Sequence, residues 1–238
     1  MDNATYATLT RQTGLMAQMQ MVANNIANAT TTGYRGEHIG FSEYVRTTGS
    51  GASLSMATAR VRETDLSQGS LSQTGGAFDL AIEGDGFFLV QTPDGPRLSR
   101  AGHFGPNENG DLVTPEGYPV LDAGGAPVFV PQGQGPVGIA PDGTISAGGN
   151  PVGQIGIVLP RDPLELVREG GTLFRADSGT DPALGGRVLQ GFLEESNVNP
   201  VLEVSRMIEV QRAYEMGQGF LEREDERIRK TIQAIQTR

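Results

Sequence analysis

The spacing of apolar residues changes twice along the chain. From about Asn3 to Asn28, Leu9, Leu15, Met16, Met19, Val22, Ala23 and Ile26 recur at three- and four-residue steps, and Met16, Met19, Ala23 and Ile26 fall like alternating positions of a heptad. That pattern predicts one helix of about 39 Å at 1.5 Å per residue. Asp2 or Asn3 can cap it, and threonines followed by Gly33 should stop it between Asn28 and Gly33. Near the other end, Met207, Tyr214, Leu221, Ile228 and Ile235 stand at every seventh position, the spacing of a coiled-coil seam. A second helix of roughly 54 Å is expected there. Asn199 is its cap, Pro200 its first residue, and Gly217 with Gly219 a place where it should loosen or bend.

Between about Ser70 and Glu195 the period shortens. Apolar runs such as FDLAI, GFFLV, PVFV, IGIVL and RVLQGFL alternate with the tight-turn pairs Asp85-Gly86, Asp94-Gly95, Asn109-Gly110 and Asp142-Gly143. This stretch reads as an all-β domain of short strands, interrupted by a helical turn over Pro160 to Glu169 that Gly170-Gly171 should end. Residues 34–70 read as an extended or loosely ordered connector with room for a long hairpin. The expected class is α+β: long coiled-coil-like, antiparallel terminal helices bracketing a central all-β domain. The expected divisions are an N-terminal helix at 1–30, a connector at 31–70, a β domain at 71–196 and a C-terminal helix at 197–238.

Composition sharpens this division. All 14 prolines lie between Pro93 and Pro200, so both ends are nearly free of helix breakers. The net charge of −10 is carried by the middle, because residues 203–238 hold seven acids against seven bases and residues 1–30 hold Asp2 against Arg11. A nucleic-acid footprint or adhesion to anionic lipid would need a basic face, and neither is expected. No window reaches the roughly 20 apolar residues of a membrane span, and no cleavable secretory leader is visible in MDNATYATLT. With no cysteine and with His38 far in sequence from His103, neither a metal site nor a cofactor is expected. Gly84-Asp85-Gly86 runs into a strand rather than a helix, which makes it a turn and not a phosphate loop. The stretch Gly105 to Glu116 lacks the first ligand of a calcium loop and contains Pro115, so it too reads as a turn. Nothing local forms a nucleophile elbow or a paired-carboxylate site, and no catalytic residue is assigned.

Two helices attached to one domain, the first running in and the second running out, must be antiparallel if they lie together. Leu15, Val22, Ile208, Val210 and Phe220 would still crowd faces that a single helix pair leaves open. Burial of one such side chain is worth about 1.5 to 3 kcal/mol, so association with other subunits is expected.

Specific motifs point the same way. Ala23-Asn24-Asn25-Ile26-Ala27-Asn28, continued by Thr31-Thr32-Gly33-Tyr34-Arg35, resembles the opening signature of bacterial flagellar rod and hook proteins. Glu194-Glu195-Ser196-Asn197-Val198-Asn199 and the stretch Met207-Ile208-Glu209 through Gln211-Arg212-Ala213-Tyr214-Glu215 resemble the closing motif of that family. Ala81 to Phe88 and Arg100-Ala101-Gly102 resemble its central β pattern. Within the family, the length and the opening Met1-Asp2-Asn3 are most like proximal rod members.

The resemblance implies a structural, non-enzymatic part of the basal-body rod. It implies partners among other rod and hook subunits and the flagellar export apparatus, with passage through that apparatus into a periplasmic rod instead of a cleaved leader. It also implies that Leu15, Met19, Val22, Asn25, Ile26, Asn28, Met207, Tyr214, Leu221, Ile228, Ile232 and Ile235 build intersubunit contacts, with Asn25, Asn28, Thr32 and Gly33 also forming the turn into the connector. A secreted fibre or adhesin subunit of similar plan, and a wall hydrolase travelling with a rod, remain as alternatives.

Overall fold

The computed structural model describes residues 2–46, 54–183 and 185–236 of the 238-residue chain. It divides into two compact units. One comprises residues 1–27, 37–63 and 199–238, and the other residues 28–36 and 64–198. Residues 47–53, part of the stretch expected to be a loose connector, lie outside the described residues. So do the side chains at Asp2 and Asn3 that were expected to cap the first helix.

The first unit contains helix α1 (Asp2–Ala27), helix α2 (Pro200–Gln236) and a two-stranded sheet of Glu37–Arg46 with Leu54–Thr64. Helix α2 begins where its sequence dictates. Asn199 Oδ1 accepts the amides of Val201 at 3.0 Å and Leu202 at 3.3 Å, and Pro200 occupies the first helical position, where a missing amide costs nothing. The helix runs unbroken through Gly217 and Gly219.

The expected fold class needs correction. The class is α+β, with two helices flanking β structure, but the helices do not form the anticipated coiled coil, and the β structure is not confined to a central domain because one strand pair belongs with the helices. Along α2 the side chains of Met207, Tyr214 and Leu221 are half-buried, whereas Ile228, Ile232 and Ile235 are exposed at 43%, 49% and 70%. The physical reason is length: a 37-residue helix outruns a 26-residue one. Much of the contact itself is polar, made through Gln12, Asn25 and Glu203. On α1 the inward stripe also lies one residue from the expected one. Leu15 and Val22 are buried, while Met16 and Ala23 face solvent.

The second unit is antiparallel β structure. Its seven-stranded sheet runs in the order 166–170, 173–176, 95–99, 87–92, 157–160 and 180–182, with 120–121 also pairing against 87–92. The run Phe87–Thr92 explains the arrangement. A strand with continuous apolar residues can be buried on both faces. Phe88 and Val90 enter a core with Leu80, Ile82, Phe104, Ile145 and Val188, while Phe87 and Leu89 enter another with Leu98, Val158 and Phe174. Pro93-Asp94 closes the hairpin from 87–92 to 95–99, and Gly95, expected in the turn, instead opens the second strand at φ +109°, a conformation that glycine adopts without strain.

The helical turn expected over Pro160 to Glu169 shrinks to the 3₁₀ turn Pro163–Glu165, capped by Asp162. Leu166–Gly170 is instead a strand paired with Leu173–Ala176. Pairing with the adjacent strand outcompetes the local helical preference.

Candidate functional site

The surface with the strongest functional signature lies on the helical unit. Near one end of the helix contact, Asn25 Nδ2 donates to Glu37 O at 2.9 Å and to Glu203 Oε2 at 3.3 Å, and Asn25 Oδ1 accepts the Glu37 amide at 3.1 Å. Glu203, buried on α2, is neutralised by Arg206 Nη1 at 2.6 Å from its other oxygen, and the same guanidinium lies 3.2 Å from His38 Nδ1. Further along, Gln12 Nε2 donates to Tyr214 O at 2.9 Å. The Gln12 amide lies against Gly217, where a Cβ would collide with it, so the glycine that weakens α2 as a helix makes room for the contact. A groove of about 400 Å³ lies there, lined by Arg11, Gln12, Leu15, Met216, Phe220 and Arg223 among others.

Pairing of Asn25 with Glu203 and of Gln12 with Tyr214 fixes how far α1 reaches. Both helices rise about 1.5 Å per residue, so the start of α1 falls level with about residue 225 of α2. Ile228 and Ile235 continue the stripe of Tyr214 and Leu221 at seven-residue steps, beyond that point. They are inward-type residues that α1 does not reach, and they stay exposed at 43% and 70%.

The twelve residues predicted to form intersubunit contacts therefore divide. Leu15, Val22 and Asn25 are buried within the chain, and Met19, Ile26, Asn28, Met207, Tyr214 and Leu221 are half-buried. Asn28 forms the turn after α1, accepting Thr31 Oγ1 at 3.1 Å and the Thr31 amide at 3.0 Å. Ile228, Ile232 and Ile235 remain exposed.

A second apolar face was underread from sequence. Val201, Val204 and Ile208, at three- and four-residue steps, are exposed at 73%, 47% and 46% on the side of α2 away from Glu203, Met207 and Val210. Their spacing was the available signal. Met216 and Phe220 extend the outward apolar surface, as Leu9 and Met16 do on α1.

No group of three or more metal-ligating side chains occurs among the described residues, and no described helix is long and apolar enough to cross a membrane. Asn107 Oδ1 accepts the amides of Asn109 and Asp111, so the calcium-like stretch is a turn.

Three family models match successive parts of the chain. They are described as flagella basal body rod protein (residues 9–35), flagellar hook protein FlgE/F/G D1 domain (81–147) and flagellar basal body rod FlgEFG protein C-terminal (189–234). The flagellar basal-body rod protein FlgF of Caulobacter vibrioides is 40% identical over 99% of this chain and 98% of its own length. The chain belongs to the flagellar basal-body rod protein family. FlgF of Mesorhizobium japonicum is 41% identical over 90% of both chains, and the rod protein FlgG of Bacillus subtilis is 31% identical over 95% of this chain and 97% of its own.

The chain is thus a FlgF-like structural subunit of the basal-body rod, located in the flagellar basal body. The fibre-subunit and wall-hydrolase alternatives find no support in these matches. The opening and closing motifs read from sequence fall inside the matched segments 9–35 and 189–234.

Proposed function

We propose that this rod subunit polymerises through its terminal helices, with other rod and hook subunits as partners. The carrying observation is the helical unit's exposed apolar surface, in particular Ile228, Ile232 and Ile235, which continue a half-buried stripe past the end of α1. Charge favours the same contact. The helical unit holds 11 acids and 11 bases, while the β unit holds 17 acids and 7 bases, so helical units approach one another without net repulsion and β units do not.

The buried and half-buried members of the predicted set, Leu15, Met19, Val22, Ile26, Met207, Tyr214 and Leu221, act by holding the two helices together. The exposed isoleucines and the face of Val201, Val204 and Ile208 meet neighbours. Export through the flagellum's own apparatus into a periplasmic rod fits a chain whose helical ends gain much of their apolar burial on assembly.

Basal bodies purified from cells carrying a tagged chain test the proposal. The tag is expected to remain with the rod after the outer rings are stripped. Recovery of the tag wholly in the soluble cytoplasmic fraction would overturn it.

A further inference from the structure

The opening motif residues Thr31 to Arg35 and the closing motif residues Glu194 to Asn197 do not lie on the helical surface. They meet inside the β unit, at the places where the chain leaves or enters it: 36 to 37, 63 to 64 and 198 to 199. Asn197 uses its whole carboxamide there. Its Oδ1 accepts the Gly36 amide at 2.7 Å, and its Nδ2 donates to Asp65 O and to Ser67 O at 2.9 Å each. The Asp65 amide bonds Gly36 O at 2.8 Å, and the Asn197 amide bonds Tyr34 O at 3.3 Å. One side chain thus joins three crossing segments.

Immediately beside it, the Gly33 amide donates to Glu194 O at 2.7 Å. Gly33 has φ +69°, and a Cβ there would run into the backbone of Arg100 and Ala101, so the segment is pressed against the sheet. The Glu194 carboxylate contacts Arg35 Nη2 at 2.8 Å, Arg100 Nη1 at 3.0 Å and the Gly69 amide at 2.9 Å, and all three charged side chains are at most 3% exposed. Arg168 is stacked between the rings of Tyr34 and Phe174, at 4.4 and 4.5 Å from their centroids, and donates to Arg35 O.

We infer that Asn197 and the buried Arg35–Glu194 pair form a positioning hub that holds the three crossing segments as one cooperative cluster on the β unit, whatever the state of the helices beyond them. A folded β unit then presents its exits at fixed spacing before any assembly takes place. The inference goes beyond the polymerisation reading and does not depend on it.

Hydrogen exchange on the full-length monomer, resolved by amide, tests this. In Asn197→Ala the Gly36 amide loses its acceptor directly. Cooperativity predicts that the amides of Gly33, Asp65 and Gly69, none of which bonds the Asn197 side chain, lose protection with it by about 100-fold. The core amides of Leu80 and Val128 should hold theirs. Loss confined to Gly36 would overturn the inference, because the segments would be independent. An equal loss at Leu80 and Val128 would also overturn it, because the effect would be global destabilisation. Glu194→Gln, approached from the other side of the cluster, should expose the same set, including Asp65, which it does not touch, by a larger factor than the core amides lose through the β unit's lower overall stability. If Glu194→Gln fails to fold, Asn197→Ala at its half-buried site decides alone.

Discussion

Replacing Ile228 and Ile232 together by aspartate should abolish incorporation into the rod while leaving the monomer's fold intact. These side chains are 43% and 49% exposed, so each has about half its surface left to bury. Full burial of an isoleucine is worth about 1.5 to 3 kcal/mol, so the pair contributes roughly 1.5 to 3 kcal/mol per copy on assembly. Aspartate removes that contribution and adds the cost of desolvating two carboxylates, a further few kcal/mol. A loss of about 4 kcal/mol weakens a contact by roughly a thousandfold.

Within the monomer the substitutions remove no large buried contact, and the cost is limited to helix propensity and to acids near a helix C-terminus, about 1 kcal/mol in all. The assay has two arms: thermal melting of the purified chain, and motility with basal-body content in cells expressing the variant alone. Gln233→Asp, on a different side of the same segment, controls for added charge. Leu221→Asp is a poor probe, because Leu221 is half-buried within the chain and its loss would lower the melting temperature as well. Normal motility with both aspartates present would refute the reasoning.

Two further substitutions test the packing. Glu194→Gln leaves the Arg35 and Arg100 guanidiniums buried with no anion and should destabilise the β unit by about 3 to 5 kcal/mol in urea titrations. Arg35→Met/Glu194→Leu/Arg100→Met should recover most of that loss, because no unpaired charge remains. The deficit has a pH sign. Burial, opposed by the charge of Glu194 and reinforced by that of Arg35, lowers Arg100 from its ordinary value to about 10. The fold therefore binds fewer protons than the unfolded chain between those values, and the cost of the charge is present at lower pH and relieved as pH rises. Glu194→Gln removes the charge that holds Arg100 up and lowers it further, so the variant's deficit should shrink as pH rises toward about 10. Gly217→Ala should change stability by less than about 1 kcal/mol, since the gain in helix propensity offsets displacement of the Gln12 amide. In a Gln12→Ala background the same change should stabilise by about 1 kcal/mol.

The boundaries of the fold were legible wherever local chemistry acts alone. Asn199-Pro200 starts α2 and a hairpin turns at Pro93-Asp94 just before Gly95, because caps and tight turns need nothing beyond a few neighbouring residues. The seven-residue pattern of α2 was legible too, but its partner was not. Periodicity identifies a stripe and is silent on how far a neighbour extends, so Tyr214 and Ile228 look alike in sequence and differ in burial. The one-residue displacement on α1, from Met16 and Ala23 to Leu15 and Val22, follows from the polar contacts of Gln12 and Asn25, which hydrophobic spacing does not register. Leu166 to Gly170 became a strand through pairing with Leu173 to Ala176, and the hub at Asn197 joins residues more than 100 positions apart. Neither arrangement has a local signature.

The central claim is that the helical ends complete their burial in the assembled rod. Hydrogen exchange at residues 227–236 and 201–208, compared between the isolated chain and purified basal bodies, tests it most directly. Residues 227–236 should exchange rapidly in the isolated chain, where α1 does not reach them, and both segments should slow by at least about 100-fold in the basal body. Equal exchange in the two states would contradict the account.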